Sequence, residues 1–166
     1  MATPPDLITL LTTGGTIDKL YFDALSEFQI GETIIARLLE LARVTYPFVV
    51  REVLRKDSLD LTDEDRAKIA GEVAATPGSR IVITHGTDTM TQTAAALAGI
   101  ADKTVVLVGA LSPARMAESD AAFNLGMAFA TAQVAEPGVY ITMNGTVFRA
   151  EDVEKDRARG AFVTKG

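Results

Sequence analysis

The fold is decided by residues 7–16, which read LITLLTTGGT. The apolar, β-prone run from Leu7 to Thr12 predicts a buried strand, and Gly14-Gly15 predicts a sharp turn directly after it. Most of the other strand candidates, such as residues 104–108, are also mainly apolar, whereas half-exposed strands alternate between apolar and polar residues. Continuous apolar strands are typical of a parallel sheet covered by helices on both faces.

Strand and helix patterns alternate along the rest of the chain, which is the rhythm of an α/β protein. After the first strand, we predict strands over residues 48–54, 80–84, 104–108 and 139–143. The spacing of apolar residues and helix propensity predict helices over residues 31–44, 63–75, 89–98 and 119–133. Residues 18–28 show no clean period, and we expect a mobile loop there.

Two local signals indicate where elements begin and end. Thr62, followed three residues later by Asp65, predicts a capping box at the start of a helix, with Asp in place of the usual Glu or Gln. Asn144-Gly145 predicts a tight turn directly after the last predicted strand.

The composition predicts one globular domain over residues 1–166. The chain is 48% hydrophobic and 23% charged, and its length falls within the usual range of a single domain. A formal net charge of -6 and the lack of any Lys/Arg block argue against nucleic acid or a membrane as partner and favour a small polar ligand. Because no basic segment precedes the first apolar run, we expect a cytoplasmic protein.

The residues that the chain lacks exclude several chemistries. It has no Cys, which excludes a thiol nucleophile, disulfides and thiolate metal sites. Its single histidine, His85, excludes a two-histidine metal site. His85 directly follows a predicted buried strand, and we expect it to support the structure there.

Polar residues collect directly after three predicted strands, at residues 13–16, 57–60 and 85–88. Each segment alone is typical of a strand-to-helix turn with capping side chains. The carboxyl ends of parallel strands share one edge of the sheet, however, and ligands bind at that edge. The three segments together therefore predict a ligand site.

The residues of these segments suit attack by a hydroxyl group. Gly14-Gly15 lacks the spacing of a dinucleotide-binding or P-loop motif, but the N–H groups of a glycine turn can approach an oxyanion closely. Thr16 beside them supplies a hydroxyl nucleophile. Without a paired histidine its activation requires another base, and both Tyr21 and Lys155 are available for that role.

Three segments carry a family resemblance: Thr13-Gly14-Gly15-Thr16-Ile17, Thr84-His85-Gly86-Thr87-Asp88-Thr89-Met90 and Asp152-Val153-Glu154-Lys155. Between them, in the family's order, lie Ser58-Leu59-Asp60, Val108-Gly109-Ala110 and Phe123-Asn124-Leu125. This ordered set resembles the signatures of the bacterial-type L-asparaginases. The resemblance extends from Leu7 to Phe162.

The resemblance implies a flavodoxin-like three-layer domain with a mainly parallel sheet, and because it covers one domain only, we expect no second domain. It also implies hydrolysis of the side-chain amide of free L-asparagine through an acyl-threonine, with no cofactor or metal. Two alternatives within enzymes are a glutaminase and an ammonia-supplying subunit of an amidotransferase. An alternative outside enzymes is a catalytically silent amino-acid-binding module.

The resemblance also implies the catalytic residues. By analogy Thr16 is the nucleophile and Tyr21 is the candidate for activating it. Thr87, Lys155 and Asp88 form a second set of hydroxyl, lysine and carboxylate.

The same resemblance implies how the substrate is bound. The N–H groups of Gly15 and Thr87 would face the oxyanion, beside Gly86. Ser58 would hold the substrate α-carboxylate, and Asp88 would hold its α-ammonium. Leu59 stands where the family often has a Gln that contacts the substrate amino group, so we expect weak binding of asparagine.

The resemblance covers only the N-terminal domain of typical family members. In those proteins a neighbouring subunit's second domain completes each active site. We therefore expect this chain to form a homo-oligomer, in which a neighbouring copy covers a site that is otherwise open to water.

Overall fold

The computed structural model describes residues 7–166, and a six-stranded sheet lies at its centre. The strands are β1 (Ile8–Gly14), β2 (Lys19–Phe22), β3 (Glu27–Ile30), β4 (Phe48–Lys56), β5 (Arg80–Thr84), β6 (Thr104–Val108), β7 (Gly138–Met143), β8 (Thr146–Arg149), β9 (Val153–Asp156) and β10 (Ala161–Thr164). The helices are α1 (Ile35–Leu41), α2 (Asp63–Ala75), α3 (Met90–Ala96) and α4 (Ala121–Val134). None of these helices is long and apolar enough to cross a membrane.

The order of strands in the central sheet is β4-β1-β5-β6-β7-β8. All neighbours pair in parallel except β7 and β8, which form an antiparallel hairpin. The five parallel strands follow the flavodoxin order, in which the second strand lies outside the first and the others lie on its opposite side. The predicted α/β fold with a mainly parallel sheet is confirmed, and its switch point lies at β1, between β4 and β5.

Alternate residues of the inner strands β1, β5 and β6 face opposite sides of the sheet, and both sides are buried there. On β1, Ile8 and Leu10 pack in the core cluster that includes α1 and α4, whereas Leu11 packs in the cluster that includes α2 and α3. The same alternation places Val82 of β5 with the first cluster and Ile83 with the second. Burial on both sides explains why these strands are continuously apolar in the sequence.

The capping box predicted at Thr62 is present at the start of α2. The Asp65 backbone N–H donates to Thr62 Oγ1 at 3.2 Å, and the Thr62 backbone N–H donates to Asp65 Oδ2 at 3.0 Å. The shorter Asp side chain reaches back as the usual Glu does. Lys56 Nζ also donates to Asp65 Oδ2, at 2.7 Å, which ties the start of α2 to the end of β4.

The prediction of a mobile loop over residues 18–28 is wrong. These residues lie mainly in the antiparallel hairpin of β2 and β3, and the Tyr21 and Phe28 rings pack edge to face with their centroids 5.4 Å apart. The hairpin is held by cross-strand pairs and is largely exposed. Because it buries neither face, it needs no apolar period, and the sequence pattern could not reveal it.

The helix predicted from Gly31 begins only at Ile35, as α1. Asp18 is the reason: its backbone carbonyl accepts from the Gly31 N–H at 3.0 Å, and its Oδ1 accepts from the Ile34 N–H at 3.0 Å. These bonds hold residues 31–34 against the segment after β1, so the apolar spacing extends further than the helix does.

Replacing Thr62 by Ala removes one half of the capping box. We expect Thr62→Ala to lower the free energy of unfolding by about 1 kcal/mol, because an N–H at the start of α2 loses its partner. Urea unfolding measures this change. Thr164→Ala, at an exposed threonine of β10, is the control and should change the free energy of unfolding by less. Equal effects of the two substitutions would show that the cap contributes nothing specific.

Candidate active site

Two glycine turns touch at the switch point of the sheet. Gly15 follows β1 with a φ of 85°, and a Cβ added to it would lie 2.4 Å from the Gly86 backbone N. A Cβ added to Gly86 would in turn lie 2.6 Å from Ser58 Cβ. Only glycine fits at either position. The three polar segments predicted to converge therefore do so: the backbones of the two glycine turns pack together, and the Ser58 side chain packs against the second turn.

Lys155 joins two of the predicted catalytic residues. Its Nζ donates to Thr87 Oγ1 at 2.8 Å and to Asp88 Oδ1 at 2.8 Å. Thr87 and Asp88 follow β5, whereas Lys155 comes from β9, which pairs with β10 outside the central sheet. The Lys155 side chain is only 14% exposed, so water screens its charge poorly and the Asp88 carboxylate compensates it.

Thr16 directly follows Gly15 and Thr87 directly follows Gly86, so the glycine contact brings the two threonines into the same region. Thr16 is half-buried, and its hydroxyl has no hydrogen-bond partner among residues 7–166. Tyr21 lies on β2, where its ring is half exposed and its hydroxyl has no hydrogen-bond partner in the same part of the chain. The role of Tyr21 in activating Thr16 stays a prediction.

The two N–H groups predicted to face an oxyanion differ in their surroundings. The Gly15 N–H donates to the Lys56 carbonyl at 3.0 Å, as a continuation of the pairing between β1 and β4. That N–H is engaged in this structure, and its oxyanion role stays a prediction. The Thr87 N–H has no hydrogen-bond partner within residues 7–166, so it remains available to a ligand.

Ser58 and Leu59 lie in a short 3-10 helix after β4. Ser58 is 2% exposed, beside Gly86, and its carbonyl accepts from Thr89 Oγ1 at 2.7 Å. Leu59 is 63% exposed and offers no polar side-chain group. Sequence reasoning did not single out Thr89, although its hydroxyl lies within the segment that carries the resemblance. It holds the Ser58 loop against the turn after β5.

His85 is fully buried and holds the turn that contains Gly86. Its Nδ1 lies 2.7 Å from the Gly86 carbonyl oxygen, and its Nε2 lies 2.7 Å from Thr93 Oγ1. The pKa of His85 is lowered to about 4, mainly by burial; the positive charge of Arg66 acts in the same direction, and the hydrogen bond to Gly86 opposes both. The imidazole is therefore neutral at pH 7, in agreement with the supporting role expected for it.

Sequence reasoning missed an ion pair that connects the β2–β3 hairpin to the loop after β4, which contains Ser58. Lys19 Nζ, at the start of β2, lies 3.1 Å from Asp57 Oδ2, directly before Ser58. Arg115 donates to the backbone carbonyls of Asp18 and Glu32 at 3.0 and 2.7 Å. These contacts join residues far apart in the chain, so no local spacing signals them. They fix the base of the hairpin beside Thr16.

No group of three or more His, Asp or Glu side chains within residues 7–166 is placed to hold a metal ion. The arrangement instead combines a half-buried threonine, a lysine held between a hydroxyl and a carboxylate, and a free backbone N–H. These groups lie at the carboxyl edge of an α/β sheet. They define a class of protein whose site is suited to attack by a hydroxyl oxygen on an acyl carbon.

Comparison with known proteins agrees with that class. Residues 7–163 match the family described as "Asparaginase, N-terminal". The chain belongs to the asparaginase family, whose members are amidohydrolases.

Similar proteins include both asparaginases and one component of an amidotransferase. The probable periplasmic L-asparaginase of Haemophilus influenzae is 35% identical over 159 residues, which cover 89% of this chain and 46% of that protein. A component of the glutamyl-tRNA(Gln) amidotransferase of Pyrococcus abyssi is 37% identical over 153 residues, which cover 83% of this chain and 33% of that protein.

Among solved structures, the thermostable L-asparaginase from Thermococcus kodakarensis superposes with a TM-score of 0.82 at 30% sequence identity, covering 95% of this chain and 51% of that one. The chain thus spans about half the length of the asparaginases it matches, or less.

The neutral, buried His85 predicts a pH dependence of stability. Between pH 6.5 and about 4 the unfolded chain binds a proton at His85 that the folded protein excludes, so stability falls as the pH falls through that window. We expect a loss of roughly 2 kcal/mol between pH 7 and pH 5 from this group. Urea unfolding of the wild type and of His85→Gln at both pH values measures it by difference. An imidazole that titrates near pH 6.5 in the folded protein by NMR would contradict this.

Proposed function

We propose that this chain hydrolyses the side-chain amide of free L-asparagine to L-aspartate and ammonia through an acyl-threonine intermediate. The observation that carries the proposal is the double contact of Lys155 Nζ with Thr87 and Asp88, beside the touching glycine turns. This contact supports a role for Lys155 in proton transfer at the carboxyl edge of the sheet. Membership of the asparaginase family supports the substrate class.

In the first half of the proposed reaction, the Thr16 hydroxyl oxygen attacks the carbon of the substrate side-chain amide. Its proton passes to the amide nitrogen, and the C–N bond breaks to release ammonia. The negative charge that develops on the amide oxygen is met by the free Thr87 N–H. Thr16 then carries the acyl group as an ester.

In the second half, a water molecule attacks that ester. Thr87 and Lys155 together take up a proton from the attacking water as its oxygen bonds to the acyl carbon. The ester C–O bond breaks, that proton passes to the Thr16 oxygen and regenerates its hydroxyl, and L-aspartate leaves. Asp88 stabilises the ammonium form of Lys155 and so favours the proton transfer.

Substrate recognition in this proposal uses groups around the glycine contact. The Ser58 hydroxyl binds the α-carboxylate beside Gly86. Asp88 Oδ1 accepts from Lys155, so the other Asp88 oxygen can accept from the substrate α-ammonium. Leu59 provides no acceptor for that ammonium, so we propose weak binding, with saturation at millimolar asparagine. Each charged hydrogen bond that is lost weakens binding by about tenfold to a hundredfold.

A second function has a specific observation in its favour. The similarity to the amidotransferase component, at 37% identity, supports an ammonia-supplying role in which a partner protein consumes the ammonia. The ratio of ammonia released from asparagine to that from glutamine separates these two enzyme functions. Release of no ammonia from either substrate favours the catalytically silent amino-acid-binding module.

We also propose that the chain acts as a homo-oligomer. Tyr21 and Leu59, on the hairpin and loop beside the glycine contact, are 51% and 63% exposed, so water enters the site from this side. Excluding water strengthens the electrostatic stabilisation of an oxyanion, and a neighbouring copy would do this. Light scattering at a concentration where the protein is active should give a mass above that of one chain. The mass of a single chain would oppose the proposal.

The role of Thr16 is tested by its removal. We expect Thr16→Ala to release no ammonia from asparagine above background while keeping its folded spectrum, because the half-buried hydroxyl contributes no hydrogen bond to the described part of the fold. Thr16→Ser keeps a hydroxyl and should retain measurable turnover. Hydrolysis by Thr16→Ala at the wild-type rate would exclude Thr16 as the nucleophile.

The role of Lys155 is tested by separating kcat from KM. We expect Lys155→Met to lower kcat by about 10²–10⁴, the range for loss of a general acid–base group. Lys165→Met, at the other end of the same hairpin, is the matched control and should leave kcat unchanged. A change in KM alone for Lys155→Met would make Lys155 a substrate-binding residue instead.

A further inference from the structure

Arg66, on the first turn of α2, is a buried cation without a buried counter-charge. It is 8% exposed, and its Nη1 donates to the Leu61 carbonyl at 3.1 Å. Its Nε is buried and has no hydrogen-bond partner among residues 7–166. The only carboxylate of the described residues within ion-pair distance is that of Asp63, at 3.7 Å and fully exposed to water. A buried charge of this kind is costly unless an anion compensates it.

A cleft of about 550 Å³ between α2 and α3 opens at this arginine. Arg66 and Asp63 provide its charges, and the Gln92 side chain of α3 provides an amide. The rest of its lining is methyl groups, from Ala67, Ala70 and Ala96. The cleft therefore combines one under-compensated cation with a short apolar surface. None of these residues belongs to the candidate active site.

We propose that this cleft is a second binding site, for a small organic monocarboxylate. The carboxylate would lie on the Arg66 guanidinium, which matches it with paired donors. Its short carbon chain would lie on the methyl groups of Ala67, Ala70 and Ala96. This proposal does not depend on the asparaginase activity, because none of its contacts uses Thr16, Thr87 or Lys155.

The charges around the cleft favour a carboxylate over a phosphate. Asp63 lies 3.7 Å from the guanidinium and would repel a doubly charged anion more strongly than a singly charged one. The formal net charge of -6 acts in the same direction. A phosphate would also leave the three alanine methyl groups uncovered. Inorganic phosphate is therefore the anion that the experiment must separate from the proposed ligand.

The cleft also has a physical connection to the active-site turn. The positive charge of Arg66 acts on His85, whose ring holds the Gly86 carbonyl and Thr93 of α3. An anion on Arg66 would reduce that field. Since His85 is the only histidine, its ring signals are assigned without ambiguity and report this change in field.

The test is an NMR titration of the full chain with sodium butyrate at constant ionic strength and pH 7. We expect saturable shifts of the Ala67, Ala70 and Gln92 amides and of the His85 ring. Butyramide, which lacks the charge, should leave them unchanged, and inorganic phosphate should shift them more weakly than butyrate. Repeating the titration with Thr16→Ala keeps the result independent of turnover.

Two variants and one control decide the assignment. Arg66→Met should raise the dissociation constant for butyrate at least about tenfold, the effect of one charged hydrogen bond. Ala70→Leu should do the same by filling the cleft, with Arg66 still in place. Arg37→Met removes an exposed arginine of α1 and should leave the affinity unchanged.

Several outcomes would overturn the proposal. One is no shift at butyrate concentrations of tens of millimolar, and another is an unchanged affinity in Arg66→Met and Ala70→Leu. Shifts confined to Gly15, Gly86 and Thr87 would place the anion in the candidate active site instead. Stronger shifts with phosphate than with butyrate would make the cleft a general anion site and reject the monocarboxylate.

Discussion

The contact between the backbones of Gly15 and Gly86 is the constraint on which the candidate active site depends. The strand order places β1 next to β5, and the turns after these strands can approach only because neither residue has a side chain. Gly86 lies in turn against Ser58, where an added side chain would also not fit. One methyl group at either glycine would therefore separate the three turns that form the candidate site.

The second requirement is a lysine brought from a distant part of the chain. Lys155 reaches Thr87 and Asp88 from β9, which lies outside the central sheet. Holding an ammonium in a largely buried position requires an opposite charge, and Asp88 supplies it. The same carboxylate is the proposed partner of the substrate ammonium. In the proposed reaction, the position of the lysine, proton transfer and substrate binding are therefore coupled through one aspartate.

The sequence predicted what depends on local pattern, and it missed what depends on contacts between distant residues. The strand 80–84 and the capping box at Thr62 follow from apolar runs and fixed spacing, and both are present. The hairpin of β2 and β3 was missed because it is exposed and has no apolar period. The Lys19–Asp57 pair and the buried charge of Arg66 were missed because only the folded chain places their neighbours beside them.

The most direct test of the account identifies the residue that becomes acylated. The protein is mixed with L-asparagine, quenched in acid, digested, and its peptides are measured by mass spectrometry. The account predicts an aspartyl ester on the peptide that contains Thr16, and the loss of that ester in Thr16→Ala. An ester on the peptide that contains Thr87, or ammonia release with no ester on Thr16 at any quench time, would contradict it.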